Sequence, residues 1–394
     1  MGRYTSEIFK ESIYRTLNYE LQFCYMKVLV YYPASYISVF ILTAIDDLIK
    51  HEHTVYLFTI VARGELHEAA EKLGAIVYVE ESPNRVTNVF QASWQLIRFC
   101  RRHKIEIVFS HLQYLNLVTV CSRFFIKASV FPLRHHADDV YLGRNRNGRI
   151  LDKLVNLFSS KILVVSEASR VHMMTYENVP SKKVIVLPLY YNFDFYHFGY
   201  KQEEYYQQAD SIGENLQLIS IGRMVKNKNH LTLLKVVAKL VVEGMNINLI
   251  LLDSGPLEYE LKHFVKQAGM ENNIIFIGRK TDIMYYLKIA DLLVHPSISE
   301  ASCQVTKEAG ICRVPIITVE GVGDFDEYVI DGENGFTVSK DNIENELYEI
   351  LKSVYKDKST LKLMGGKLEK SVREKFDVSS ATKTFASIID PFQL

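Results

Sequence analysis

The chain has 394 residues, 48% hydrophobic and 23% charged, with 46 lysines and arginines balancing 46 acids. This length exceeds the usual single core and predicts two domains, while a net charge of zero excludes a chain-wide bias toward nucleic acid. The odd number of cysteines, five with no Cys-x-x-Cys, fits a reduced compartment, and no apolar run reaches the roughly 18 residues that a membrane span needs.

Residues 1–25 are polar and aromatic and read as an appendage ahead of the first core strand, KVLVYY at 27–32. Apolar strand-like runs follow at 54–60, 75–79 and 105–111, separated by helical patterns at 37–51, 67–74 and 86–103. ASVFPLRHH (128–136) and KILVVSEASR (161–170) continue the alternation. Strands that are apolar nearly throughout, alternating with helices, predict a parallel sheet covered on both faces. Local charge is uneven: between Arg98 and Lys161 there are twelve Lys or Arg against four Asp or Glu, a patch that suits anionic lipid, a charged acceptor or simply water.

A polar and aromatic stretch without period, 194–215, interrupts the rhythm. Five strands then follow at 216–222, 247–255, 273–278, 291–296 and 314–319, with helical patterns at 231–244, 258–269 and 282–290. The expected organisation is an appendage at 1–25, a first αβα domain at 26–195, a linker at 196–215 and a second αβα domain at 216–375. A C-terminal helix at 376–394, centred on 379–392, is expected to pack back on the first domain. Ligands of such sheets bind beyond the carboxyl ends of the strands, so the cleft between the domains is the expected site.

Three loops of the second domain carry candidate chemistry. In IGRMVKNKNH (221–230), Gly222 ends a strand, and Arg223, Lys226 and Lys228 stand beside a helix start, a combination that suits phosphate. It is neither a Walker loop nor a dinucleotide fingerprint. In LLDSGPLEYE (251–260), Gly255 and Pro256 make a turn that also permits close approach of a ligand. In SEASCQVTKEAG (299–310), Glu300 and Glu308 flank a run of small and apolar residues after a strand. Helical rise puts them about 12 Å apart, too far for a hydrolytic carboxylate pair and suited to a sugar and the ribose of its nucleotide. The amides of Ser302 and Cys303, at the expected helix start, suit a diphosphate. Cys303 is a poor nucleophile candidate, because no histidine is evidently poised to deprotonate it. Gly321, Gly323 and Glu327 form a further ligand-facing loop.

In the first domain, Arg134, His135 and His136 follow a strand end, and a histidine titrating near neutrality there suits proton work or a sugar hydroxyl. Asp138 and Asp139 invite a metal reading, but adjacent ligands point apart and no third is obvious, so no metal is assigned. His111 is a weaker candidate with an equally good structural role.

Taken in order, these motifs resemble the large retaining glycosyltransferase family four (glycosyl transferases group 1), with two facing Rossmann-like domains in the GT-B arrangement. GRMVKNKNH resembles the family's GRL…K stretch, and Glu300 and Glu308 its E-x7-E. SGP (254–256) resembles its glycine-proline turn, and SEASR (166–170) its SE-S turn. The resemblance implies transfer of a sugar from a UDP- or GDP-sugar to a glycan or lipid-linked acceptor, with retention and without a required cofactor. It implies that Arg223 and Lys228 contact the donor diphosphate, Glu300 the donor sugar and Glu308 the ribose, and that His135 is the first domain's functional histidine. The cysteine pattern points to the cytoplasm, and the aromatic and basic content of the first domain to a peripheral protein building a glycan at the cytoplasmic face of a membrane. The chain departs from the pattern at PASY (33–36), where a glycine pair is usual, at PLYYNFD (188–194), and at Ala301, Ser302 and Cys303, which replace glycines. Two alternatives stand beside this reading: a sugar-nucleotide epimerase of the same plan, and a catalytically idle sugar-binding or partner subunit.

Overall fold

The computed structural model describes residues 25–80, 88–136, 146–197, 215–280 and 282–389. Residues 1–24 of the appendage, almost all of the linker 196–215, and Asp138 and Asp139 lie outside them.

In the first half, β1 (Lys27–Tyr32), β2 (Thr54–Thr59), β3 (Ile76–Val79), β4 (Ile107–His111), β5 (Ser129–Arg134), β6 (Ile162–Val164) and β7 (Val184–Val186) form one sheet in the order β3-β2-β1-β4-β5-β6-β7. Every pairing is parallel. The connecting helices are α1 (Val39–Lys50), α2 (Glu65–Lys72), α3 (Val89–His103), α4 (Gln113–Ser122), α5 (Arg146–Phe158) and α6 (Glu167–Tyr176). All five residues of β4 are buried, as a strand covered on both faces requires, whereas the edge strand β3 alternates exposed and half-buried.

The second half repeats the plan. β8 (Leu216–Ile221), β9 (Ile247–Leu252), β10 (Ile274–Gly278), β11 (Leu292–Val294), β12 (Ile316–Val319) and β13 (Phe336–Val338) form a parallel sheet in the order β10-β9-β8-β11-β12-β13. It is flanked by α7 (His230–Val242), α8 (Glu258–Gln267), α9 (Ile283–Lys288), α10 (Gln304–Ile311), α11 (Ile343–Lys356) and α12 (Leu361–Phe376). The expected double αβα architecture is present. The sheets have one more strand each than the sequence reading assigned, because β7 and β13 are three-residue edge strands, too short to show a period.

The chain then crosses back. The Tyr191 amide donates to the Phe376 carbonyl at 2.7 Å, and the Val378 amide to the Tyr191 carbonyl at 2.9 Å. The final helix, α13 (Phe385–Ile389), packs on α1 of the first half, where the Ala386 amide donates to Asp47 and the Phe385 ring meets Phe40 and Phe109. Within the helix expected over 379–392, the turn Val378–Ser380 is 3-10, and among the described residues the α-helix is the five of α13. At the other side of the cleft, the Arg279 guanidinium beyond β10 lies 5.2 Å from the Tyr36 ring beyond β1.

Candidate active site

Chain order in the second sheet reverses between β8 and β11, and a crevice opens where neighbouring connections leave in opposite directions. The loops after those two strands are laced together there. The Asn227 carbonyl accepts from the Ile298 amide at 2.9 Å and from the Ser297 hydroxyl at 3.1 Å. This lacing brings Lys228 to Glu300: the ammonium donates to Oε1 of the carboxylate. The same oxygen lies 2.7 Å from His295 Nε2, and Cys303 Sγ lies 3.5 Å from that nitrogen.

The four groups set one another's charge. Burial disfavours the Glu300 carboxylate, but the His295 hydrogen bond and charge and the Lys228 ammonium outweigh it, holding the group down to about 2. Burial pushes His295 down, yet Cys303 and Glu300 pull it up to about 9. For Cys303 burial acts upward, and the imidazolium turns the net shift downward. The expectation that no histidine stands near Cys303 is therefore wrong: strand β11 delivers His295 eight residues earlier. The arrangement still differs from a nucleophile–base–orienter relay, because Cys303 and Glu300 compete for the same imidazole nitrogen. His295, Glu300 and Cys303 also bring potential metal-ligating atoms within 4.8 Å, but the Lys228 ammonium already supplies a cation to Glu300.

Arg223 is exposed at the mouth of the same loop. The loop's course depends on Gly255. A Cβ there would sit 2.5 Å from the Met224 carbonyl oxygen and 2.7 Å from its amide nitrogen, so Gly255 makes room for the backbone that carries Arg223 and Lys228. Asp253, two residues earlier, holds φ 90, a left-handed conformation costly for a side-chain residue, and its carboxylate accepts from the Ser254 amide at 2.8 Å. Opposite outcomes are expected by chemical denaturation. Gly255→Ala should cost about 2–3 kcal/mol, whereas Asp253→Gly should stay within ~1 kcal/mol of the parent, relief of strain offsetting the lost bond and the added chain entropy.

Helix α10 starts at Gln304, two residues later than expected, with Cys303 at its cap and no capping side chain. Only the last half of the Glu300–Glu308 interval is helical, so the 12 Å helical estimate does not measure their separation. The Ser302 hydroxyl faces inward, donating to Asp324 at 2.6 Å; the fully buried Lys307 donates to both oxygens of that carboxylate. Ser302 thus has its hydroxyl in the scaffold and only its main chain left for a ligand. Gly323 packs directly on Glu300, and Glu327 pairs with Lys375 at 2.8 Å, away from the ligand role expected of it.

Glu308 is buried on α10, with Oε1 accepting from Gln304 at 2.7 Å and Oε2 making no hydrogen bond among the described residues. Burial raises it to about 7, with Gln304 and Tyr196 pulling partly back. A buried carboxylate with an unused oxygen is costly in an empty fold and suited to a hydroxyl-rich ligand. α10 is braced from behind, where Gly365 of α12 meets the Arg313 carbonyl with no room for a side chain.

In the first half, β4 and β5 end side by side and bring His111 Nδ1 to 3.0 Å from His135 Nε2. Burial, with His136 beside it, pushes His135 down to about 4. Burial and His135 push His111 well below its ordinary value. The expected titration near neutrality does not occur; His135 is a neutral hydrogen-bonding group at physiological pH. Arg134 and His136 face elsewhere, Arg134 forming two bonds to Glu177 at 2.6 and 2.7 Å and His136 lying 2.9 Å from Asp152. Sequence reasoning missed His295 and the buried Lys307–Asp324 pair; His295 carried a signal, its place directly after a strand, and Lys307 in mid-helix carried none.

Two family models match the chain: "Glycosyltransferase Family 4" over residues 37–194 and "Glycosyl transferases group 1" over residues 201–371. Among curated proteins, a Campylobacter jejuni N-acetylgalactosamine-N,N'-diacetylbacillosaminyl-diphospho-undecaprenol 4-alpha-N-acetylgalactosaminyltransferase is 24% identical over 66% of this chain and 70% of its own length. The Staphylococcus aureus capsular polysaccharide biosynthesis glycosyltransferase CapM is 24% identical over 62% of this chain and 64% of its own length. Among solved structures, Anabaena Alr3699/HepE in complex with UDP-glucose superposes with a TM-score of 0.75 at 19% identity, covering 91% of this chain and 97% of that one. WaaG, a glycosyltransferase involved in lipopolysaccharide biosynthesis, superposes with a TM-score of 0.69 at 16% identity, covering 92% and 100%. With both halves matched in order and both sheets Rossmann-like, the chain is a glycosyltransferase of the GT-B architecture.

Proposed function

We propose that this glycosyltransferase moves a sugar from a UDP- or GDP-sugar to a glycan or lipid-linked saccharide, with retention of anomeric configuration and with no required cofactor. The observation that carries the reading is the convergence at the β8/β11 crevice of Lys228, Glu300 and an uncapped helix start, with the underbonded Glu308 along that helix. Arg223, Lys228, the backbone at Gly222 and the amides at Ser302 and Cys303 are assigned to the diphosphate. They neutralise the charge that builds on it as the sugar leaves. Glu300, kept ionised, faces the positive charge that develops at the anomeric carbon. Glu308 is assigned to the ribose hydroxyls, and neutral His135 to a sugar hydroxyl across the cleft. The UDP-glucose complex of HepE supports a uridine donor, and the diphospho-undecaprenol named for the Campylobacter relative supports a lipid-diphosphate acceptor.

The test is a donor screen with purified protein. UDP-, GDP- and ADP-sugars are offered with membrane glycolipid extract, nucleoside diphosphate release is read, and the product's anomeric configuration is read by NMR. Release dependent on acceptor, with the donor's configuration kept, is the expected result. A changed sugar nucleotide without release identifies the epimerase, inversion overturns retention, and inertness toward every donor identifies the idle subunit.

A further inference from the structure

A buried ion pair stands behind the crevice and enters no step of the catalytic reading. Lys307 is fully enclosed on α10, and Asp324 is 2% exposed in the loop after β12. The Lys307 ammonium has three N–H groups and three acceptors. It donates to Asp324 Oδ2 at 2.6 Å, to Oδ1 at 2.8 Å and to the Ser302 hydroxyl at 3.0 Å. The Ser302 hydroxyl donates in turn to Asp324 Oδ2 at 2.6 Å, closing a ring of bonds over three segments of the chain. The Tyr328 and Phe376 rings cover the ammonium, with centroids at 4.9 and 4.7 Å.

Stability alone is a poor account of this pair. The cost of desolvating two charges offsets most of their attraction, and an apolar pair of similar volume commonly serves as well. What a fully satisfied buried network adds is one fixed arrangement. Here that arrangement belongs to the loop 300–303. Asp324 holds it through Ser302, and its neighbour Gly323 packs against it: a Cβ on Gly323 would lie 3.0 Å from Glu300 Cβ and 3.3 Å from the Glu300 carbonyl oxygen. Thr306, one residue before Lys307, donates to the Cys303 carbonyl at 2.8 Å and meets the Tyr328 hydroxyl at 2.5 Å. Helix α10 has no capping side chain at Cys303, and the tie through Ser302, the residue before the cap, fixes the helix entry instead.

We propose that Ser302, Asp324 and Lys307 form a positioning strut for the transfer reaction. The strut holds the loop in the one course that presents the Glu300 carboxylate and the Ser302 and Cys303 amides to the donor. The proposal rests on the assignment of that loop to the donor. Lys307 and Asp324 touch no ligand; they act through the backbone of residues 300–303. Lys228 and His295 fix the far end of the Glu300 side chain, and the strut fixes its root.

The test replaces the ion pair without leaving a buried charge. Full-length Lys307→Met with Asp324→Leu is compared with the parent by thermal unfolding, by amide hydrogen exchange and by donor turnover. The double variant is expected to unfold cooperatively near the parent's midpoint, whereas Lys307→Met alone, which strands Asp324, unfolds well below it. Exchange over residues 299–305 should be at least about tenfold faster in the double variant, with β8 and β9 unchanged. Its kcat should fall about 10- to 100-fold, the cost of a small misplacement at a reacting centre, while UDP affinity changes much less because Glu308 stays on its helix. Unchanged exchange over 299–305 overturns the proposal, and so does faster exchange with the parent's kcat. If the double variant does not fold, Ser302→Ala, which keeps the ion pair, decides in its place: faster exchange over 299–305 at the parent's midpoint is expected, and parental exchange overturns the strut. A parent inert toward every donor is the failure of the transferase reading instead, and the exchange comparison still decides whether the strut holds the loop.

Discussion

Replacing Glu308 with alanine is expected to weaken UDP binding about 100-fold, measured by titration calorimetry, because a charged acceptor serving two hydroxyls is lost. Glu308→Gln tests the charge itself. Burial holds this carboxyl at about 7, well above its ordinary range, so near pH 6 it is largely protonated in the empty protein. Ribose hydroxyls donating to it favour the ionised form. Nucleotide binding near pH 6 is therefore expected to release a proton, seen as a dependence of the apparent enthalpy on buffer ionisation. The glutamine variant should bind without that dependence. The same shift sets a stability signature. With the folded value above the unfolded one, the folded state binds more protons between about pH 4.5 and 7, so Glu308 contributes stability below that window and loses it as pH rises through 7. Relative to Glu308→Gln, the parent should lose roughly 3 kcal/mol between pH 4 and 8. Unchanged UDP affinity in both variants would remove the ribose assignment.

The second large effect is expected at Glu300. Glu300→Gln should lower kcat by about 10²- to 10³-fold, the range for losing one preorganised electrostatic group at a reacting centre. UDP affinity should stay within about threefold, which separates a catalytic loss from a collapsed fold. The pH dependence has a definite sign. Glu300 has a depressed folded value near 2, so its contribution is complete above the ordinary carboxylate range and lost as pH falls through 2. His295 has a raised value near 9, so its contribution is complete below about pH 6.5 and lost as pH rises through 9. Glu300 and His295 are both charged between these limits, and the glutamine variant should weaken the alkaline part of this dependence, because His295 then keeps Cys303 but loses Glu300. A kcat near the parent's would place Glu300 in the scaffold and leave the anomeric carbon without its assigned partner.

Much of this was legible in the chain. The strands of both sheets are runs such as KVLVYY and LQLISI, apolar on both faces, and that pattern specifies a parallel sheet wrapped by helices before any coordinates exist. Their order, with polar and glycine-bearing loops after 222, 254 and 296, placed Arg223, Lys228 and Glu300 beyond strand ends on one side of a sheet, with Glu308 along the helix that follows. Short edge strands and α11 and α12 escaped notice because three residues carry no period and the helices follow no chemistry-bearing motif.

Charge state was not legible, because it depends on groups distant in the chain. Lys228 and Glu300 are 72 residues apart and His111 and His135 are 24 apart; only the parallel register brings each pair together. Desolvation decides the rest. It makes His135 neutral and Glu308 hard to ionise, and it makes His295 dependent on neighbours invisible in a linear reading. The sequence by itself determined the architecture and the residue types at the crevice, since both follow from local pattern. The tertiary structure decided which of those residues are charged, which serve the scaffold and which are left to hold a ligand, because those outcomes are set by burial and by partners that folding alone supplies.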